Sequence, residues 1–205
     1  MEKGFITNPL RTTVVFLGFF SALFGLCYPG LVTLLLQATC SGKANGSLVV
    51  VNNHVRGSLL IGQHFTQDHY FWGRPSALQI PYRPTSSGGS NFNPTSQKQL
   101  SLIKARIEIL TQRNPKQTSL IPIDLVTASA SGLDPDISLA AAFYQIPRIA
   151  NARGIDESKI FELINQHCSG SISSLLGTTH INVLKLNIAL DKVNQNHHGD
   201  TKTGS

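Results

Sequence analysis

Hydrophobic and polar positions follow three different regimes along the chain. From Thr12 to Gln37 there is no acidic or basic side chain, and Val, Leu and Phe fill most of the 26 positions. As a helix this run would reach about 39 Å at 1.5 Å per residue, more than the ~30 Å hydrocarbon core of a bilayer. It predicts a membrane-spanning helix over 12–37, loosened in its last third by Pro29-Gly30. Gly18/Ala22 and Ser21/Gly25 recur at four-residue spacing, a pattern that suits close helix approach and is also common in any membrane helix. The run is too long for the core of a cleaved signal peptide, and Leu36 to Cys40 offers no A-x-A-like cleavage site. An uncleaved anchor is therefore expected, followed by a polar tether at 38–47.

The second regime has short periods. Leu48–Val51 and Ser58–Gly62 are β-branched or aliphatic runs separated by Asn52-Asn53-His54, and they predict a hairpin. Gln63 to Asn93 is rich in Gly, Pro, Ser and aromatic residues and has no sustained period, which predicts a long irregular stretch. In the third regime helical spacing returns. Leu100, Ile103, Ile107 and Leu110 mark one face of a helix over 94–113, with Lys98, Lys104, Arg106 and Glu108 off it, Asn93 as N-cap and Pro94 at the first helical position. Asp134-Pro135-Asp136 predicts a second helix to about Ala152, bent at Pro147 and stopped by Gly154. A third should begin at Asp156 and end at His167. Asn182 to Leu190 alternates well enough to begin as a strand, and the polar tail 194–205 should fray. Strands, helices and a final strand give an α+β class: one N-terminal transmembrane helix followed by a single mixed α/β domain over 48–193.

Charge sets the orientation. Lys3 and Arg11 precede the apolar run and only Lys43 closely follows it, so the positive-inside tendency keeps residues 1–11 in the cytoplasm and exports the rest. The full chain of 205 residues has 17 Lys+Arg, 11 Asp+Glu and a net charge of +6. Its 14% of charged residues is well under the ~25% usual for soluble chains. The basic residues are dispersed, which argues against a nucleic-acid binder and fits a mildly cationic surface near anionic lipid. Three cysteines exclude a disulfide-stapled miniature. Cys40 and Cys168 could pair after export, and free thiols are the expectation.

Chemistry-bearing motifs are scarce. The sequence holds no phosphate-binding G-x-x-x-x-G-K-[ST], no G-x-S-x-G, no H-E-x-x-H and no C-x-x-C. His64/His69 and His167/Cys168 lie close in sequence without a third and fourth ligand nearby. Asp68-His69 with Ser76 or Ser87 could supply a nucleophile set, and an anchored, exported hydrolase using His69 is the alternative from a different class. Three loop segments stand out that overall composition alone does not explain. They are Phe71 to Ala77, with the single Trp beside Arg74; Ser86 to Asn91, with Ser87, Gly88 and Gly89; and Asp124 to Ser138, with Ser131, Gly132 and Asp134.

Together with Gly57–Gln63 and Ala140–Gly154, these segments resemble, in the same order, the hallmark stretches of the KdpC family, an accessory subunit of bacterial potassium-transporting P-type ATPases. The run Thr127 to Pro135 is the most specific, and the likeness extends from the membrane helix to about Val193. The resemblance implies a subunit of the inner membrane without catalytic activity of its own. It also implies three partners: a channel-like potassium-binding subunit, an ATP-hydrolysing pump subunit and a small single-helix subunit. Potassium would be handled by those partners, and ATP affinity in the pump subunit would be raised in a chaperone-like way. Arg74, Ser87, Gly88, Gly89, Ser131, Gly132, Asp134, Gln145 and Arg148 become candidates for partner contact or a nucleotide link. Physics limits the latter, since an exported Gln145 lies across the bilayer from cytoplasmic ATP. An indirect effect on ATP, through assembly, is the expectation. A nucleotide-binding module remains the narrower alternative.

Overall fold

The computed structural model describes residues 9–168 and 179–200, with side chains through residue 193, and its chain divides into two units after Leu48. The first unit is a helical rod from Pro9 to Ala44, kinked at Cys40, apolar and long enough to cross a membrane, with none of its most apolar stretch buried against protein. It comprises α1 (Pro9–Ala22), a π-helical turn (Leu23–Cys27) and α2 (Tyr28–Ala44). The π turn lies just ahead of Pro29, in the middle of the run rather than in the last third where loosening was expected. The proline ring crowds the carbonyl four residues back, at Gly25, and the rod adjusts by letting Tyr28 N–H donate to Leu23, five residues back. Of the expected tether 38–47, residues as far as Ala44 are helical, with one non-helical backbone setting at Cys40. Gly46 and Ser47 then turn the chain with positive φ.

In the second unit, β1 (Leu48–Val51) and β2 (His54–Ser58) form a two-stranded hairpin. The predicted second strand, Ser58–Gly62, lies too late. Asn52 and Asn53 both adopt positive φ, as a tight primed turn requires, so the return strand starts at once. No helix or strand occurs between Ser58 and Gln97, as the lack of period predicted. α3 (Gln97–Arg113) follows. Its start is later than expected because Asn93 Oδ1 accepts from Thr95 in a local turn instead of capping the helix. Its inward face is also rotated. Leu110 is buried and Ile103 packs on the core, whereas Leu100 and Ile107 stay exposed. Arg106, expected on the outer face, turns inward and donates to the Val126 carbonyl.

A short 3-10 turn (Ile123–Leu125) leads to β3 (Asp136–Ser138), in place of the helix predicted from Asp134. Asp134 Oδ1 accepts from Asp136 N–H in an Asx turn, and 136–138 pair antiparallel with β4 (His180–Asn182) in the register Asp136↔Asn182, Ile137↔Ile181, Ser138↔His180. The helical cap is Ser138, which accepts from Ala141 N–H and is itself gripped by Asp124. α4 (Leu139–Tyr144) and α5 (Ile146–Arg153) are separated at Gln145, beside Pro147, and α5 ends on left-handed Gly154. α6 (Glu157–His167) is capped by Asp156, as predicted. The expected strand over 182–190 is β4 followed by α7 (Val183–Asp200). Val183, Leu184, Leu186, Asn187 and Leu190 are buried, a helical spacing that overrides the local alternation. The tail expected to fray from Asn194 is helical as far as Asp200, and 201–205 lie outside the described residues.

The unit is thus mostly helical with two small sheets, a coarse form of the α+β expectation. Its core gathers Ile137 and Ile181 from the sheet, Ile149 from α5, Ile160 and Ile164 from α6, and Leu186 and Leu190 from α7 around Phe71. Each such side chain contributes roughly 1.5–3 kcal/mol on burial. Cys27, Cys40 and Cys168 are free thiols.

Candidate functional site

Phe71 is fully buried, yet it lies in a segment with no strand partner. A buried backbone must satisfy its N–H and C=O groups, and here side chains do so. Asn187 Nδ2 donates to the Phe71 carbonyl at 3.0 Å, and its Oδ1 accepts from Phe71 N–H at 2.8 Å. Gln145 repeats the arrangement one residue on, its Oε1 accepting from Trp72 N–H at 2.8 Å and its Nε2 donating to the Trp72 carbonyl at 3.2 Å. The two amides act as a strand edge built from side chains. The preceding carbonyls are taken by arginines: Arg148 donates to Asp68 and Tyr70, and Arg153 to His69. Five consecutive carbonyls, Asp68 through Trp72, therefore accept from α5, α7 and the residue joining α4 to α5.

Gln145 is 1% exposed. Its Oε1 also accepts from Arg148 Nη2 at 2.7 Å and its Nε2 also donates to Ala141 at 3.1 Å. Both donors and both acceptor positions of the amide are thereby in use. Arg148 is 5% exposed and stands 4.1 Å from the Trp72 ring centroid, a cation–π contact. Burial draws its guanidinium down to about 10, with the Asp68 charge opposing the shift and the Arg113 charge adding to it. It remains a cation at neutral pH.

The other candidates meet around the Arg74–Ser76 end of the Phe71–Ala77 segment. Arg74 pairs with Asp134 at 3.1 Å, both partly exposed, and such pairs contribute ~0–1 kcal/mol. Tyr82 donates to the Arg74 carbonyl, and burial pushes its hydroxyl up to about 12. Gly62 donates to the Leu133 carbonyl and passes so close to Tyr82 and Asp134 that a Cβ would strike both. Gly88 N–H and Ser87 Oγ both donate to the Ser131 carbonyl, at 2.8 and 3.2 Å. Gly89 lies against Ala130, and Gly132, at φ +69°, leaves no room for a Cβ beside Leu78 and the Gly88 carbonyl. Ser76 Oγ donates to the Gly132 carbonyl at 2.8 Å.

The structure therefore joins the nine candidates into two neighbouring sets. Gln145 and Arg148 hold the segment over residues 68–72, and Arg74 with Asp134 and the Ser87–Gly89/Ser131–Gly132 contact brace its 74–76 end. Sequence reasoning missed Asn187, Arg153 and Tyr82. Asn187 carried a legible signal, as the lone amide inside the apolar run Val183–Leu190. Arg153 and Tyr82 carried none.

The hydrolase arrangement does not form. Asp68 Oδ2 accepts from Arg113 at 2.9 Å and Oδ1 has no partner, so the carboxylate does not orient His69. Ser76 and Ser87 both donate to backbone carbonyls. Among the described residues no three His, Cys, Asp or Glu side chains converge on a metal-sized site.

Comparison with known proteins identifies the family. The family profile described as "K+-transporting ATPase, c chain" (KdpC) matches residues 10–192. A "Potassium-transporting ATPase KdpC subunit" of Herpetosiphon aurantiacus is 49% identical over 175 residues, covering 85% of this chain and 91% of that protein. The protein of the same description from Yersinia enterocolitica is 48% identical over 183 residues, covering 89% and 92%. That from Sorangium cellulosum is 45% identical over 183 residues, covering 89% and 96%. With the profile spanning residues 10–192 and relatives 45–49% identical over 85–89% of its length, the chain belongs to the KdpC family, a non-catalytic subunit of the Kdp potassium-transporting ATPase.

Proposed function

We propose that the chain is an anchored brace: a single-pass helix with a cytoplasmic N-terminus carries an extracytoplasmic domain whose rigid loop face docks on the other subunits and stabilises their assembly. The observation that carries the reading is the capture of the five carbonyls 68–72 by side chains of the helices. Loops held in this way keep one shape, and preorganised loops lose little entropy when they bind a partner. The loop face of Trp72, Arg74, Ser87–Gly89 and Asp134 then meets the channel-like potassium-binding subunit. The apolar rod packs in the membrane beside lipid and the helices of the pump and small subunits. Potassium is bound and moved by those partners.

An effect on ATP follows indirectly. Gln145 has no donor or acceptor left for a nucleotide, which supports influence through assembly, with the pump subunit's ATP affinity rising when the brace is in place. Deleting residues 12–37 and purifying the complex through a tag on the pump subunit tests the anchoring. The domain should be lost from the complex, and stoichiometric retention would refute it. Among complexes that retain the full chain, Gln145→Leu should alter ATP-driven turnover only in proportion to the subunit lost. A lowered ATP affinity with the subunit fully present would instead support direct nucleotide contact.

A further inference from the structure

Between the Trp72–Ser76 loop and α3 lies a cleft of about 430 Å³. Its lining is largely apolar, with Phe65, Trp72, Ile109 and Leu125 among its walls. Three arginines line it, Arg74, Arg106 and Arg113, and no carboxylate does. Two of the three cations are already neutralised, Arg74 by Asp134 and Arg113 by Asp68. Arg106 is not: Nη1 donates to the Val126 carbonyl at 2.7 Å, and among the described residues no carboxylate lies within ion-pair distance of it. Its partial burial without a counter-charge pulls its pKa down, as expected for a cation that would gain from an anion. Arg74 adds a second sign, since its Nε–H is buried and has no partner. A buried donor in that state favours an acceptor beside it.

We infer that this cleft is a binding site for a single carboxylate carried on an aromatic or aliphatic body, with Arg106 as its counter-charge. One uncompensated cation sets the charge at one, and the apolar walls require the body. The same count disfavours a polyphosphate, whose remaining charges would be brought against Ile109, Leu125 and Phe65 with no cation to meet them. Such a carboxylate can come from a free amphipathic acid or from an acidic terminus presented by a neighbouring subunit, and the chemistry recognised is the same.

Equilibrium dialysis of radiolabelled phenylacetate against the full chain in a non-ionic detergent tests this. One saturable site is expected, weakened about tenfold or more in Arg106→Gln and retained within about threefold in Arg106→Lys. Ile109→Glu changes a half-exposed position and leaves Arg106 in place. It should abolish binding while the far-UV spectrum and melting temperature stay unchanged. Neutral benzyl alcohol and ATP should both fail to compete at equal concentration. Absence of a saturable site, unchanged affinity in both Arg106→Gln and Ile109→Glu, or equal displacement by benzyl alcohol or ATP would overturn the assignment. Repeating the dialysis on the assembled complex separates the sources. Retained binding identifies a free acid as the ligand, and loss of binding on assembly identifies a subunit's own carboxylate.

Discussion

Replacing Gln145 by Leu removes the amide that holds Trp72 while keeping an apolar side chain of similar size. Four hydrogen bonds disappear: those with Trp72 N–H, the Trp72 carbonyl, the Ala141 carbonyl and Arg148 Nη2. Counting only the Trp72 N–H, the Trp72 carbonyl and Arg148 Nη2, three groups are left short of a partner. A buried donor or acceptor without a partner costs about 1–3 kcal/mol. With some relief from water and small shifts the loss should come to about 3–6 kcal/mol. Against the 5–15 kcal/mol by which domains are usually stable, that is a large share. Trp72 is the single tryptophan and sits at the affected site, so urea unfolding of the full chain in non-ionic detergent can be followed by its fluorescence. The midpoint should fall steeply at an unchanged slope. Gln145→Glu can still accept from Trp72 N–H and Arg148 but cannot donate to the two carbonyls, and it should fall in between. A loss below about 1 kcal/mol for Gln145→Leu would refute the idea that side-chain amides hold this segment.

Other expectations follow from neighbouring contacts. Gly132→Ala forces a Cβ at φ +69° to within 2.7 Å of Leu78, and it should lower stability by about 2–3 kcal/mol in the same assay; a change under 0.5 kcal/mol would contradict the tight loop crossing. Tyr82 provides a test in alkali. Its folded pKa of about 12 lies above the ordinary 10, so between those values the unfolded chain gives up the phenolic proton and the folded one keeps it. Stability conferred by the neutral hydroxyl is complete below pH 10 and falls through the window to pH 12, by about 2–3 kcal/mol. Tyr82→Phe should lose that part of the slope, and parallel pH profiles for the two proteins would disprove the burial of its hydroxyl. Pro29→Ala restores an N–H and removes the ring that crowds Gly25. The π turn at Leu23–Cys27 should then close to a regular α-helix, visible in micelles as Tyr28 N–H moving its bond from Leu23 to Phe24; persistence of the turn would mean the proline is not its cause.

The parts of this architecture set by local rules were readable from sequence. A run of apolar residues without charge can only be a buried or membrane-facing rod; Pro29 signalled an irregularity, which falls one turn earlier than expected because the ring disturbs the carbonyl four residues back. The Asp156 cap and Gly154 stop depend on neighbours within one helical turn, and they lie where predicted. The errors arose where distant residues decide. Asp136–Ser138 reads as a helix start until β4 arrives, some forty residues later in the chain, to pair with it. Likewise the alternation in Val183–Leu190 suggests a strand, but burial of one face against α6 and Phe71 favours the helix. At the candidate site the residue types were legible and their work was not. Gln145 and Arg148 stood out within a recognisable segment, yet only the fold shows that their polar atoms face the backbone of 68–72. Asn187 supplies the matching half from more than a hundred residues away, a pairing that spacing along the chain does not encode.

The orientation of the domain bears most directly on the anchored-brace account. Protease added to intact spheroplasts expressing the full complex, followed by immunodetection of an epitope after residue 193, is the measurement. Digestion from outside, with only the N-terminal rod and its short leader left protected, is the result predicted. A domain that survives until the membrane is lysed would place it beside cytoplasmic ATP and contradict the account.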